Sequence, residues 1–434
     1  MTTTINKLGD DLVVEILIRS FPNPKPACRC KLVCKRWRSL ISDPILFSRR
    51  FASYHKSINE KVEPPLLVTS SSSIFRHQSL NFLPVPDKVG PYFTIFDSFQ
   101  DLLLCGFSVC RFRESEEFER FYFVCNPFTK QWVALPLAPE SSSGILITAA
   151  RLVCEPVHST SLDLGEGGAA FDYSSYRFRV VLRCEPSGDE RLYVFCFESG
   201  EWTEETLVLE NNMLKSMVSC GGKLFFHLND GAFRSRGDGA LAFRSLVLDE
   251  FDPFRLDHAH PRRVHTSIAL PVGARYRISV LQGALHMVLL ESKISHYSRN
   301  ALTVWRLEED DDDGDVCSWR KLHEVLLKET MLVHGCNYEL DRLFWVYLHP
   351  RRPEIVFLNY LDYRIEKKFV LSMDLTGTKE VEFFDTDGRF TWNVFQPKIS
   401  CWPTPIPKYE ELRGTYGEIY DYLLKIKNST NISQ

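Results

Sequence analysis

The stretch Leu8–Ile41, LGDDLVVEILIRSFPNPKPACRCKLVCKRWRSLI, decides how the fold of this chain begins. Within it, the segment Leu12–Ile18 has a single charged residue, Glu15, among six aliphatic ones. A helix that is apolar on nearly all sides must be covered on nearly all sides. A module of about 45 residues has too little interior to do this alone, because domains of that size are marginal in isolation. We therefore predict that a second surface covers part of it.

The same segment could be a strand, because Val and Ile favour sheets. The flanking residues favour a helix, since Gly9-Asp10-Asp11 provides an N-cap and acidic side chains at the positive end of the helix dipole. Three prolines after Ser20 then end the element. A second periodic run follows and predicts one face of a helix, or of two helices in series, from Cys30, Val33, Cys34, Trp37, Leu40 and Ile41. The prediction is three short, tightly linked helices.

These residues resemble the F-box of plant F-box proteins, whose usual form is LPDDLxxEILxRLP followed by RCKxVCKxWRxLIxDPxF. Here LGDDLVVEILIR is followed by RCKLVCKRWRSLISDPILF. The resemblance implies binding to a Skp-type adaptor, which joins an F-box to a cullin-based ubiquitin ligase, so that any contact with the cullin scaffold is indirect. It also implies an adaptor-binding and packing surface at the matching positions Leu8, Leu12, Ile16, Leu17, Val33, Cys34, Trp37, Leu40 and Ile41.

Two departures from the usual form support an alternative interpretation. Gly9 replaces the family's proline at the helix start, and Ala27-Cys28 stands where two leucines are common. Each large apolar side chain that is lost removes about 1–3 kcal/mol of burial. The alternative is a protein-interaction scaffold that keeps a weakened F-box and is not part of a ligase.

The composition predicts a folded protein of two or three domains, because 44% of the residues are hydrophobic and 25% are charged. No apolar run approaches the roughly 20 residues of a membrane span. The first eleven residues, MTTTINKLGDD, lack the apolar region of a signal peptide. Thirteen cysteines without a framework spacing favour reduced thiols. We expect a nuclear or cytoplasmic protein, or one found in both, with no membrane partner.

The charge is unevenly distributed along the chain. Residues 1–50 hold ten Lys/Arg and four Asp/Glu, a balance of +6, which leaves −10 for the remainder of a chain whose net charge is −4. A basic module on an acidic body indicates an acidic partner for the first part. Nucleic acid would also suit the basic run Arg29–Arg38, but this run lacks interleaved aromatic residues and a groove-reading motif. We therefore do not expect a nucleic-acid partner.

The remainder of the chain, to about residue 407, alternates short β-rich runs with turn residues, which predicts repeated antiparallel sheets. One recurring strand pair has a tight turn, as in Val218–His227, and another ends in an aromatic residue, as in Val124–Trp132. One pair of each kind makes a four-stranded unit near the 40–50-residue period of propeller repeats. Radial stacking would cover both faces of each sheet. The predicted units are 95–136, 144–207, 217–270, 278–326 and 331–371, with a sixth that joins 66–82 to 380–395.

The predicted fold class is α+β and multidomain, with a small N-terminal three-helix F-box followed by an all-β propeller-like domain of about six blades. The run Val124–Pro136, VCNPFTKQWVALP, strengthens the resemblance, because NPxTxxWxxLP recurs in the F-box-associated, kelch-like region of the same plant proteins. The predicted domains are an F-box at 1–50, a linker at 51–64, the F-box-associated domain at 65–407 and a C-terminal helix or tail at 408–434.

Patterns for catalysis or metal binding are weak. Cys28, Cys30 and Cys34 lack a nearby His or a second Cys pair. The acidic run 308–315, EEDDDDGD, has Arg320 where a calcium loop needs its final Glu. No GxSxG, P-loop or HExxH motif occurs. We expect no catalytic residue, metal or cofactor, and a substrate-recognition subunit whose target protein is unknown. A propeller hydrolase or oxidase is a third interpretation, which would require a bound metal or clustered acidic residues in the channel.

Overall fold

The structure is a computed structural model of the chain. It describes residues 7–21, 24–43, 46–47, 50–51, 54–55, 67–70, 80, 82–83, 94–110, 118–127, 129–139, 146–156, 176–185, 190–207, 214–229, 243–255, 262–266, 268–271, 274–281, 283–291, 301–309, 316–326, 330–333, 336–339, 343–349, 352–362, 367–376, 382–385, 391–395 and 406.

The N-terminal module consists of short helices, as predicted. Helix α1 spans Asp10–Ser20, helix α2 spans Pro24–Arg29 and runs into a 3-10 turn at Cys30–Leu32, and helix α3 spans Lys35–Ser42. Gly9 is the N-cap of α1 with an extended backbone and no side-chain cap. Its carbonyl accepts a hydrogen bond from the N–H of Val13 at 3.1 Å.

The second periodic run forms two helices in series, because the chain is extended at Cys34. Cys34 has φ −160° and ψ 167° and is the N-cap of α3. Its Sγ accepts a hydrogen bond from the N–H of Trp37 at 3.4 Å. The predicted apolar face is therefore divided at this point, and the residues before and after the division have different environments.

The helical module has a core of its own. It is built from one face of α1 and from residues of the later helices: Val13, Val14, Leu17, Ile18, Ala27, Leu40, Ile41, Phe47 and Phe51. His55 lies beyond these residues, and its Nε2 is 2.9 Å from the carbonyl oxygen of Ile18. The packing of this module therefore includes residues as far as His55.

Strands account for the rest of the described chain. In chain order they are β1 Leu67–Ser70, β2 Thr94–Phe99, β3 Leu102–Cys110, β4 Phe118–Asn126, β5 Gln131–Ala134, β6 Leu146–Pro156, β7 Tyr176–Glu185, β8 Glu190–Cys196, β9 Glu201–Leu207, β10 Leu214–Cys220, β11 Lys223–Asn229, β12 Phe243–Phe251, β13 Arg262–Thr266, β14 Ala269–Pro271, β15 Arg275–Leu281, β16 Ala284–Glu291, β17 Ala301–Glu309, β18 Val316–Leu326, β19 Thr330–Val333, β20 Cys336–Glu339, β21 Leu343–Leu348, β22 Ile355–Asp362, β23 Lys367–Asp374, β24 Glu382–Asp385 and β25 Thr391–Phe395.

Consecutive strands pair antiparallel in groups of four, which we call blades 1 to 5. Among the described residues the five blades are β2–β5, β6–β9, β10–β13, β15–β18 and β21–β24. The first strands of successive blades are neighbours, β2 beside β6, β6 beside β10, β10 beside β15 and β15 beside β21. A parallel pairing of β13 with β18 also joins the outer strands of blades 3 and 4. This is the arrangement of a propeller whose first strands surround a centre.

Each sheet can bury both of its faces because blades stack on either side. In β3, Leu102 and Leu104 pack with blade 2, in a cluster that includes Leu152 and Val180. Leu103, from the opposite face of the same strand, belongs to a separate cluster. Further clusters join blade 2 to blade 3, blade 3 to blade 4 and blade 4 to blade 5. Continuous runs of buried apolar residues, such as Leu102–Cys105, are thus explained by two covered faces.

The predicted bounds agree with blades 1 to 4 but are wrong for blade 5. That blade spans 343–385 instead of 331–371. The reason is that β20 pairs with the preceding strand, β19, so that β21 is the first strand of the blade. The strand β24, assigned to the sixth unit by prediction, is the last strand of blade 5. The predicted meeting of the two ends of the domain is confirmed, since β1 pairs antiparallel with β25. The described residues thus form five four-stranded blades, where about six were expected, together with β14 paired to β12 of blade 3, the β19–β20 pair and this terminal pair.

Two other predictions concern parts of the chain with limited description. The predicted C-terminal helix at 408–427 lies outside the described residues. Across the described residues, no helix is both long and apolar enough to span a membrane.

Candidate protein-docking surface on the helical module

Helix α1 has one buried and one exposed apolar face. Val13, Val14 and Leu17 are buried in the core of the module. Leu12 and Ile16, one helical turn apart, are 57% and 41% exposed. Residues four apart lie on the same side of a helix, so these two side chains form a continuous apolar strip. The sequence predicted an uncovered apolar surface here, because the helix Leu12–Ile18 is apolar on nearly all sides.

A second exposed apolar group lies where the 3-10 turn meets α3. Leu32 and Val33 are 88% and 63% exposed. Both residues come directly before Cys34, whose extended backbone separates the 3-10 turn from α3. Large aliphatic side chains exposed to this degree in a small module indicate an interaction surface.

The structure separates the nine predicted site residues into three groups. Those that are exposed and available to a partner are Leu12, Ile16, Val33 and Cys34. Leu8 and Trp37 are half-buried and pack against the core. The remaining three, Leu17, Leu40 and Ile41, belong to that core. The periodicity missed Leu32, Leu46 and Tyr54, which are also exposed.

The charged residues of the module divide into two sets. Arg36 binds Asp10 at 2.7 Å and, through the same Nη2, the carbonyl oxygen of Leu8 at 2.5 Å, and so ties α3 to the start of α1. Arg50 lies 3.3 Å from carboxylate oxygens of both Asp11 and Glu15. The second set consists of exposed basic residues around the junction of the later helices: Arg29, Lys35 and Arg38. Basic side chains next to an apolar group suit a partner with acidic residues around an apolar patch.

The other motif, Val124–Pro136, forms a blade-closing turn. Asn126 is fully buried. Its Nδ2 donates to Oδ2 of Asp101 at 2.8 Å, and its Oδ1 accepts from the N–H of Thr129 at 3.1 Å. Pro136 accepts a hydrogen bond from Nε1 of Trp202 in blade 2 at 3.1 Å. The motif therefore holds blade 1 together and attaches it to blade 2.

The order of the two parts agrees with a comparison to known families. The family described as "F-box-like" matches residues 7–53. The family described as "F-box protein At3g26010-like, beta-propeller" matches residues 109–397. The chain belongs to this family. It is an F-box protein with a β-propeller, as the resemblance implied, and the helical module is its F-box.

A curated relative shares the same organisation. This F-box protein is 24% identical over 363 residues to a protein of Arabidopsis thaliana named as an F-box/kelch-repeat protein, At4g22430. The alignment covers 82% of this chain and 76% of the relative.

Two solved structures are also similar, but only weakly. The β-propeller domain of the trilobed protease from Pyrococcus furiosus is 10% identical, with 68% of this chain and 70% of that chain covered and a TM-score of 0.31. An acylaminoacyl peptidase from Pyrococcus horikoshii is 10% identical, with 65% and 38% covered and a TM-score of 0.32. TM-scores of this size carry no argument about this F-box protein.

Proposed function

We propose that this F-box protein is the substrate-recognition subunit of an SCF-type (Skp-cullin-F-box) ubiquitin ligase. The observation that carries the proposal is the exposed apolar strip Leu12/Ile16 on a helix whose other face is already packed. A partner that covers this strip would stabilise the complex by about 25 cal/mol for each Å² of apolar area removed from water. The Skp-type adaptor is the partner that this module has in the family, and the cullin scaffold would be joined through it.

The second exposed group extends the proposed adaptor contact. Leu32 and Val33 lie beside the basic residues of the junction, so an adaptor surface with apolar and acidic residues would match both. Leu17, Leu40 and Ile41 would support this surface from inside the module. We assign the contact to Leu12, Ile16, Leu32 and Val33.

The propeller would hold a target protein, and the chain would contribute no reacting group. Holding a target lysine near a ubiquitin-charged enzyme raises its effective concentration, which is the contribution expected of a receptor. The proposed division is an F-box at 1–50 whose packing continues as far as His55, a linker from there to 64, the propeller at 65–407 and a tail at 408–434. The proposed location is the nucleus, the cytoplasm or both, where ubiquitin ligases of this kind act.

Gly9 and Ala27-Cys28 are the two departures that favour the alternative, a scaffold with a weakened F-box. Ala27 is fully buried in the core of the module, and Cys28 is half-buried beside it. The small side chains at these positions therefore affect internal packing more than the exposed strip. The substitution at Ala27-Cys28 therefore does not argue for loss of the exposed strip.

Co-purification with a Skp-type adaptor tests the proposal. The full-length chain, co-expressed with the adaptor, should recover it at a ratio of about one to one. Leu12→Glu and Val33→Glu should each reduce recovery at least tenfold, because a buried carboxylate without a partner is strongly unfavourable. Leu326→Glu is the matched control, since Leu326 is 60% exposed on the propeller. Failure of the wild-type chain to recover stoichiometric adaptor would favour the scaffold.

A further inference from the structure

Blades 3 and 4 differ from the other blades in how their sheets are connected. Among the described residues, blades 1, 2 and 5 are separate four-stranded sheets, whereas blades 3 and 4 belong to one continuous sheet. The connection is the parallel pair β13–β18, in which Thr266 is the register partner of Cys317. The first strands of the two blades, β10 and β15, also lie beside each other. The two blades therefore enclose the space between them at the outer and at the inner side. We call this space between β10–β13 and β15–β18 the blade 3–4 chamber.

The lining of the blade 3–4 chamber is apolar but only partly packed. Among the described residues, nine buried apolar side chains form its cluster, and ten half-buried ones pack against them. Between blades 1 and 2 the corresponding numbers are seventeen and five, and between blades 4 and 5 they are eleven and two. Half-buried side chains of the lining come from both blades and include Val218, Phe225, Tyr276, Val280, Trp305 and Leu307. Apolar side chains that keep accessible surface between two sheets leave room for a further apolar group.

Trp319 contributes an unpaired hydrogen-bond donor to this lining. Its side chain is 7% exposed, belongs to the buried cluster and is the register partner of Leu307. Its Nε1 is buried and has no hydrogen-bond acceptor within the described part of the chain. Other indoles of the propeller have one: Nε1 of Trp202 donates to the carbonyl of Pro136 at 3.1 Å, and Nε1 of Trp305 donates to Oγ1 of Thr303 at 2.9 Å.

A buried donor without an acceptor is unfavourable, and the indole N–H of a buried tryptophan usually has a partner. A water molecule is a poor partner here, because it needs about two to four polar neighbours, whereas the side chains that surround Trp319 are almost all apolar. A charged molecule is also disfavoured, because an apolar lining does not replace its lost hydration. The lining and the free N–H together suit a neutral molecule that carries an acceptor.

We propose that the blade 3–4 chamber binds a small, neutral, apolar molecule whose carbonyl oxygen accepts a hydrogen bond from Nε1 of Trp319. Ligand sites of this kind are lined mostly by apolar and aromatic side chains, with few polar groups that fix the orientation of the ligand. Eight strands that surround one interior are sufficient to hold one small ligand. The proposal uses propeller residues alone and goes beyond the ligase proposal.

Two matched probes, 2-acetylnaphthalene and 2-ethylnaphthalene, test this proposal on the full-length chain. They have the same ring system and nearly the same size, and only the first has a carbonyl oxygen. Both should bind saturably, because the lining is apolar, and both should raise the melting temperature as their concentration rises. Equilibrium titration of each probe gives its affinity.

Two variants with the same change of side chain make the test specific. Trp319→Phe keeps an aromatic ring and removes the N–H, so it should weaken binding of 2-acetylnaphthalene by about two- to tenfold. It should leave the affinity for 2-ethylnaphthalene unchanged, which also shows that the variant is folded. Trp202→Phe is the matched control, since the indole of Trp202 is bonded to Pro136 between blades 1 and 2. It should bind both probes as the wild type does.

A third variant, Val218→Phe, tests the location of the site. The larger side chain would occupy space in the chamber, so the affinity for both probes should fall at least tenfold. Three results would each overturn the proposal: no saturable binding of either probe by the wild type, unchanged affinity of Trp319→Phe for 2-acetylnaphthalene, or unchanged affinity of Val218→Phe for both probes. Recovery of the Skp-type adaptor depends on the F-box and not on the chamber, so this proposal and the ligase proposal can fail separately.

Discussion

Lys130 and Gly200 occupy equivalent positions in the turns that close blades 1 and 2. Both have a left-handed backbone, with φ of 58° and 73°. The N–H of each donates to the carbonyl four residues earlier, Asn126 at 2.9 Å and Cys196 at 2.8 Å. Glycine adopts this conformation without steric strain, whereas other residues require about 1–2 kcal/mol. The same turn is therefore strained in blade 1 and relaxed in blade 2.

Exchanging these residue types should change stability in opposite directions. Gly200→Ala should lower the free energy of unfolding by about 1 kcal/mol, since the added Cβ disfavours the left-handed backbone. Lys130→Gly should leave it unchanged or raise it by a few tenths of a kcal/mol. Urea unfolding of the full-length variants measures both. Equal stability of Gly200→Ala and wild type would contradict the left-handed turn.

At the scale of the element, α1 has separate faces for packing and for docking. Leu17 is 3% exposed and contacts the core, while its neighbour Ile16 is 41% exposed. The two residues differ in exposure because α1 has more apolar residues than its packed face can accommodate. Stability and partner binding should therefore respond to different residues of one helix.

Alanine substitutions at these neighbouring positions should separate the two roles. Leu17→Ala should destabilise the F-box by about 2–5 kcal/mol, because it leaves a cavity in the core. Ile16→Ala should change stability by less than about 0.5 kcal/mol, as exposed substitutions do, yet should reduce adaptor recovery. Thermal unfolding and co-purification measure the two effects. If Ile16→Ala were the more destabilising of the pair, the assignment of the faces would be wrong.

At the scale of the whole molecule, the two ends of the propeller domain meet in one strand pair. Val68 of β1 is the register partner of Val394 in β25, more than 300 residues along the chain. Such a pairing joins the ends of a ring of blades that otherwise contact only their neighbours. It joins a segment that precedes blade 1 in the chain to one that follows blade 5.

Disrupting this pair should destabilise the propeller as a whole. Val68→Pro should lower the melting temperature by several degrees, corresponding to roughly 1–3 kcal/mol, because proline is poorly tolerated within a paired strand. Val68→Thr is the matched control, since threonine retains a β-branched side chain. Identical melting of Val68→Pro and wild type would show that this closure contributes little to stability.

The sequence by itself determined the local units of this protein. Helix α1 follows from the cap and the prolines around it, and the repeated turns at Asn126 and Cys196 predicted blades 1 and 2 within a few residues. These signals are local, because capping and turn residues act on their own backbone. The position of α1 at the start of an F-box was predicted from the resemblance of its sequence to that family.

Only the tertiary structure decided which side chains face a partner and which strands share a blade. The predicted adaptor-binding and packing surface did not divide contact from core: Leu17, Leu40 and Ile41 lie in the core of the module, and Leu32, which was not predicted, is 88% exposed. Blade 5 differs from its prediction because β20 pairs with β19 and not with β21. Coverage and strand partners both depend on contacts between distant residues, which local periodicity does not contain.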